Sequence, residues 1–275
     1  MRAVSLHPDV IVVTSALLHV NCVIVRAADA GAGLRSEGAS QNGETFVIDS
    51  PVLPDELDAL HTLTEQARFP APSGLLATHG DWDHLLGRLA FPGLALGCAE
   101  STAARLMRSP GEAQRELRAF DDELYIERAG PLALGEVQAL PIPGRCGLGE
   151  LELELYQADG HTADGMAVWV PWAQVLVAGD YLSNIELPVL GDGADVTAYL
   201  ATLERLRPLL EQAAYVVPGH GPAIEGSRAS ELLEDDARYL RGLAEHGLGA
   251  QLPAGRRSPH QRTLHAENAA RIATR

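Results

Sequence analysis

Gly74-Leu75-Leu76-Ala77-Thr78-His79-Gly80-Asp81-Trp82-Asp83-His84 is the stretch on which the reading of this chain turns. Its first five residues make a short, mostly apolar run of strand length, and the rest crowd two imidazoles and two carboxylates into the turn that follows. Polar groups delivered at the end of a buried strand are how sites are built on a layered α/β scaffold. Upstream, β-branched runs at 10–14, 22–26 and 45–49 read as successive strands, the last closing at Asp49-Ser50-Pro51. A helix is predicted over 54–67, where Leu57, Leu60 and Leu63 recur at helical spacing and Asp55 and Glu56 fill the first turn.

Downstream the alternation continues. A strand is predicted at 94–98, a helix from Ser101, and a charged amphipathic helix over 112–128. Strands follow at 132–140 and 150–157, the second with Leu151, Leu153 and Leu155 alternating against Glu152 and Glu154. Runs at 166–170 and 174–178 form a hairpin through Pro171-Trp172 and end at Gly179-Asp180. Helical patterns at about 195–212 and 228–246 flank a strand at 215–218 that ends at Gly219-His220. No Pro/Gly/Ser linker divides this order, so one layered α/β domain is expected over 1–250. Residues 251–275 are expected as a C-terminal tail, loosely held or packed on that domain.

Composition narrows the function classes. The 275 residues are 46% hydrophobic and 21% charged, and no apolar run reaches the roughly 18 residues of a membrane span, so a globular chain is expected. All 21 basic residues are Arg, against 37 Asp and Glu, giving a net charge of −16. Without Lys there can be no phosphate-loop Lys, no Schiff-base Lys, no kinase strand Lys and no S-x-x-K nucleophile. The acidity disfavours nucleic acid and leaves a small molecule as the expected partner. Cys22, Cys98 and Cys146 lack C-x-x-C spacing, so neither a disulfide framework nor a thiolate zinc site is expected. The apolar stretch 10–25 carries Thr14, His19 and Asn21 and reads as two strands rather than a signal peptide; the expected location is cytoplasmic.

Four separate strand ends deliver His or Asp. They are His79, Asp81, Asp83 and His84; His161 in Asp159-Gly160-His161-Thr162; Asp180 after Ala178-Gly179; and His220 in Pro218-Gly219-His220-Gly221-Pro222. Imidazole and carboxylate bind zinc, iron and manganese, and seven such groups suit two adjacent metals. These segments, in this order, resemble the metallo-β-lactamase superfamily, with its H-x-H-x-D-H motif and later His, Asp and His ligands. The Gly160-His161-Thr162 and Pro218-to-Pro222 segments resemble its glyoxalase II-like and lactonase-like branch. The resemblance implies a four-layer αββα sandwich with the site along one edge of the packed sheets. It also implies that His79, residue 81 and His161 hold a first metal, Asp83, His84 and His220 a second, and that Asp180 bridges them.

The departure is Asp81, which stands where that motif has His. Zinc is the expected metal for both positions; a carboxylate hardens the first site away from zinc, which makes iron or manganese the alternatives. The implied function is a metal-dependent hydrolase directing a metal-generated hydroxide at a small ester, thioester or lactone, with Asp83 also orienting the water. An iron-dependent oxidoreductase or dioxygenase is the alternative, and a non-catalytic metal-binding protein the third. A β-lactam substrate is set aside for want of an export signal, and a processing nuclease for want of a basic surface. Trp82, Tyr181, Ser183 and Glu186 are candidate substrate contacts by their nearness to the ligands. His7, His19, His61, His246, His260 and His265 lack ligand-like context, and Arg115, Arg118 and Arg128 are read as partners of neighbouring acids.

Overall fold

The computed structural model describes residues 1–28 and 43–273. In the first sheet β1 (Arg2–His7), β2 (Val10–Thr14), β3 (Asn21–Ala28), β4 (Gly43–Ile48), β5 (Gly74–Leu76), β6 (Leu96–Ala99) and β7 (Val137–Leu140) lie side by side in chain order. The first four pair antiparallel, and β4 through β7 pair parallel. Parallel neighbours need crossovers, which α1 (Pro54–Gln66), α2 (Gly87–Ala90), α3 (Glu100–Arg108) and α4 (Glu112–Leu124) supply. The second sheet runs β13 (Ile224–Glu225), β12 (Tyr215–Pro218), β11 (Val175–Gly179), β10 (Met166–Val170), β9 (Leu151–Gln157), β8 (Gly144–Leu148). It is antiparallel except for β11 and β12, which α5 (Val196–Leu210) joins. The chain ends in α6 (Gly226–His246) and α7 (Pro259–Ala273).

Strand side chains alternate between faces, so a sheet buried on both sides must be apolar on both. In β3, Val23 and Val25 face the other sheet with Val168, Val170, Val175 and Val177, while Cys22 and Ile24 pack with Leu57 and Leu60 of α1 and Leu117 of α4. In β10 and β11, Trp169 and Leu176 turn the other way, toward Leu203 and Leu206 of α5 and Leu240 of α6. Three apolar layers therefore separate four structural ones, helices on sheet on sheet on helices, as the sequence pattern and the resemblance lead one to expect.

Several boundaries differ from the sequence reading. β1 was not expected because its residues are mostly exposed and carry no strong alternation; pairing with β2 alone makes it a strand. Only Val137–Leu140 of the predicted strand 132–140 pairs with β6, since Leu132 turns into the helix-side core and Gln114 bonds its carbonyl. The helix predicted over 112–128 stops at Leu124, where Tyr125 turns left-handed and Arg128 folds back on Asp121 at 2.7 and 2.9 Å. The C-terminal segment forms α7, burying Gln261, His265, Asn268 and Ala269. Among the described residues no helix is long and apolar enough to cross a membrane.

The sheets are stitched at one edge, where Met166 N donates to Thr78 O at 2.7 Å and Asn21 N to Gly219 O at 2.8 Å. There Gly160 (φ +115°) lets the loop after β9 press on the first turn of α5, where a Cβ would overlap the Tyr199 backbone nitrogen. Gly160→Ala is therefore expected to lower unfolding free energy by about 3 kcal/mol, checked by denaturant melts of metal-free protein.

Candidate metal centre

At this edge the seven sequence-predicted donors come together. The turn after β5 carries His79 and Asp81 and then a single 3₁₀ turn, Trp82–His84; the loops after β9, β11 and β12 bring His161, Asp180 and His220. Nε2 of His79 lies 3.5 Å from Asp81 Oδ2 and 3.8 Å from Asp180 Oδ2. Nε2 of His161 lies 3.6 and 3.2 Å from the same two oxygens. Nε2 of His220 lies 3.4 Å from both Asp83 Oδ2 and Asp180 Oδ2, and Nε2 of His84 lies 3.2 Å from Asp180 Oδ1. Three trios have donor atoms within 4.8 Å of one another: His79, Asp81 and His161; Asp83, His84 and His220; and His79, His84 and Asp180.

These approaches lack hydrogen-bond geometry where it matters most. Nε2 of His79, His84 and His161 and Oδ1 of Asp180 are buried without a hydrogen-bond partner. Each such group costs on the order of 1–3 kcal/mol unless something else satisfies it. A divalent cation between them does so, because imidazole nitrogen and carboxylate oxygen are its ordinary donors. The residues present fit such an ion.

A family model for the metallo-beta-lactamase superfamily matches residues 41–220, about two thirds of the chain. The chain belongs to the metallo-beta-lactamase superfamily. It is 30% identical over 115 residues to a metallo-beta-lactamase type 2 of Bacteroides fragilis, a match over 35% of this chain and 46% of that protein. The chain spans under half the length of the curated relatives it matches. The sec-alkylsulfatase Pisa1 from Pseudomonas sp. superposes on 99% of the chain and half of its own length, with a TM-score of 0.73 at 13% identity. A structure solved in a di-iron-bound form superposes on 80% of the chain and 97% of its own, with a TM-score of 0.55 at 23% identity.

In this member of the superfamily, each imidazole is aimed by its other nitrogen. Nδ1 of His84 meets Asp49 Oδ2 at 2.9 Å, and Nδ1 of His79 meets Thr78 Oγ1 at 3.1 Å. Nδ1 of His161 and His220 donates to the carbonyls of Val189 and Leu18 at 2.8 and 2.9 Å, which leaves Nε2 bare as a donor to metal. Asn21 holds the His220 loop by donating to the carbonyls of Pro218 and Gly221 at 2.8 and 2.6 Å. Asp49 and Arg105 were missed by sequence reasoning. Asp49 showed itself only as a strand end, and nothing marked Arg105, which sits 2.8 Å from Asp81.

The substrate-contact candidates fall in different surroundings. Tyr181 is buried against Tyr199, and its hydroxyl accepts the His161 N–H at 3.1 Å. Ser183 is buried, donates to the His220 carbonyl at 2.8 Å and accepts from Ile185 and Glu186 N–H. Both hydroxyls thus hold ligand-bearing loops. Trp82 stacks on Phe120 of α4 with centroids 4.6 Å apart, and Glu186 is half-buried on the loop after Asp180.

Charge explains what these groups do without metal. Burial opposes protonation of His161 and His220, yet the carboxylates outweigh it: Asp180 and Asp81 push His161 up to about 9, and Asp180 and Asp83 push His220 up to about 10. Against the same burial, Asp49, Asp180 and Asp83 hold His84 well above its ordinary range. Because the folded values are raised, this stabilisation is fully present below roughly pH 6.5 and is lost as pH climbs through 9 to 10. Metal uptake at neutral pH must expel these protons. Zinc added to metal-free protein in weak buffer at about pH 7 is expected to release more than one proton per chain, read by a pH indicator. Asp49→Asn should weaken metal held through His84 by about 10–100-fold in chelator competition.

Proposed function

We propose that this chain is a metal-dependent hydrolase of a small ester, thioester or lactone, using two divalent ions, zinc foremost. The observation that carries the reading is the convergence of seven unpaired or charge-balanced donors on one sheet edge, with no side-chain nucleophile prepared beside them. Burial pushes the Cys98 thiol up to about 12 and the Cys22 thiol higher still, and the Ser183 hydroxyl is committed to backbone. Water is then the nucleophile that remains.

Bound metal ions supply polarisation of a carbonyl oxygen and activation of water near neutral pH. The chain's own groups do the rest. His79, Asp81 and His161 would hold one ion and Asp83, His84 and His220 the other, with Asp180 within reach of imidazoles from both trios. Asp83, with Oδ2 turned toward Nε2 of His220 at 3.4 Å, would also orient the attacking water by hydrogen bond. Burial, with the charges of Asp180 and Asp83, raises the Glu186 carboxyl on the loop after Asp180. The Gly160-His161-Thr162 and Pro218-to-Pro222 segments support an acyl substrate through their likeness to glyoxalase II-like and lactonase-like sequences.

A second reading, an iron-dependent oxidoreductase, draws on the carboxylate of Asp81 in the first donor trio and on the likeness to a structure in a di-iron-bound form. Protein loaded with zinc, manganese or iron is therefore assayed on thioesters, lactones, aryl esters, a β-lactam and a secondary alkyl sulfate, alongside oxygen uptake. Turnover of an acyl substrate is expected, lost on chelation, restored by metal, and at least about 100-fold lower in His220→Ala. Oxygen uptake with the iron form and no hydrolysis would select the second reading; metal binding without any turnover would leave a binding protein.

A further inference from the structure

We propose that Arg105 is a positioning residue that presents Asp81 as the third donor beside His79 and His161. This rests on the two-metal reading above and adds what makes a carboxylate workable at that position. Arg105 comes from the last turn of α3, and its Nη1 lies 2.8 Å from Asp81 Oδ1 and 2.9 Å from Asp164 Oδ1. Asp164 is almost wholly buried, and its other oxygen accepts the Gly80 N–H at 3.0 Å. Gly80, Asp81, Arg105 and Asp164 thus close a ring around the turn that carries the ligands.

The ring divides the Asp81 carboxylate between two tasks. Oδ1 faces the guanidinium, and Oδ2 faces Nε2 of His79 and His161 at 3.5 and 3.6 Å. A free carboxylate rotates about χ2 and offers either oxygen, or both; with Oδ1 held, one oxygen remains for the metal, as an imidazole would offer one nitrogen. The guanidinium also offsets the charge that Asp81 brings to a centre already containing Asp83 and Asp180. Both contacts are made by Nη1, so one guanidinium nitrogen ties Asp81 to the buried Asp164.

A purely structural Arg105, tying α3 to the loop after β9 through Asp164, predicts something different, so a double-mutant cycle decides. Metal affinities of wild type, Arg105→Gln, Asp81→His and the double variant are measured in chelator-buffered zinc, with cobalt absorption reporting each site. Arg105→Gln is expected to weaken one of the two ions by about 10–100-fold and leave the other unchanged, as loss of a ligand's orienting partner does. In the Asp81→His background, where the side chain at 81 has no carboxylate oxygen for Arg105 to hold, the same change should cost less than about 3-fold.

Equal losses in both backgrounds, or no loss in either, would overturn the proposal. If Arg105→Gln does not fold, Asp164→Asn serves instead. It keeps an acceptor for Gly80 N and removes half of Arg105's anchor, so a smaller loss confined to the Asp81 background is expected. Wild-type protein that takes up no ion at His79 and His161 would overturn both this and the two-metal reading. Metal uptake without hydrolysis would overturn the proposed hydrolase and leave this proposal standing.

Discussion

One buried carboxylate organises the candidate centre. Asp49, the residue after β4, accepts hydrogen bonds from Thr78 N and Thr78 Oγ1 at 2.8 Å each and meets Nδ1 of His84 at 2.9 Å. Its own N–H donates to Leu76 O at 2.8 Å, and it sits in the left-handed region at φ +56°. That conformation is uncommon for a residue other than Gly, though Asp tolerates it better than most. The arrangement joins the ends of two parallel strands to the imidazole between Asp83 and Asp180, and Thr78 passes the constraint to His79. The register of β4 on β5 and the direction of the His79 and His84 rings are therefore one structural decision.

The opposite wall is set from far away in sequence. The segment 183–191 carries the Val189 carbonyl that aims His161, and it has no secondary structure of its own. Gln261 and Asn268 of α7 take its place as a pairing partner. Gln261 accepts from Leu187 N at 2.7 Å and donates to Ile185 O at 2.8 Å; Asn268 accepts from Leu190 N at 2.9 Å and donates to Pro188 O at 2.7 Å. Arg256, paired with Asp236 at 2.6 Å, donates to the carbonyls of Ser183 and Glu186. Backbone groups that a loop would otherwise leave unpaired are thus satisfied by side chains from the last two dozen residues. A segment that reads in sequence as a polar tail fixes where a ligand points.

This contrast shows what sequence reveals and what it hides. The buried strands were legible because apolar, β-branched runs of strand length leave few alternatives, and the seven His and Asp of the candidate centre were legible because each stands at a strand end in a recognisable segment. The edge strand β1 and the true end of α4 were not, since both are set by a partner rather than by local pattern. Asp49 and Arg105 share that character: a single charged residue at a strand end or on a helix acquires meaning only when Thr78, 29 positions along the chain, comes to one, and when the turn after β5 reaches the other. Tyr181 and Ser183 drew attention for nearness to a ligand in sequence, yet their hydroxyls serve the backbone of the neighbouring ligand loops.

Charge ties these pieces together. Around the centre stand Asp49, Asp81, Asp83, Asp164 and Asp180, and among the described residues the guanidinium of Arg105 is paired with two of them. Carboxylates outnumber the guanidinium there, and bound divalent ions would offset the surplus negative charge. Without metal, protons on His84, His161 and His220 take over most of that task, which is why burial fails to keep those imidazoles neutral. An imidazole at position 81 with Arg105 retained would make the centre one unit more positive. The carboxylate and the guanidinium offset one another, inside a protein whose net charge of −16 already turns anions away at long range. That offset is made by the same pair that sets the direction of Asp81 Oδ2.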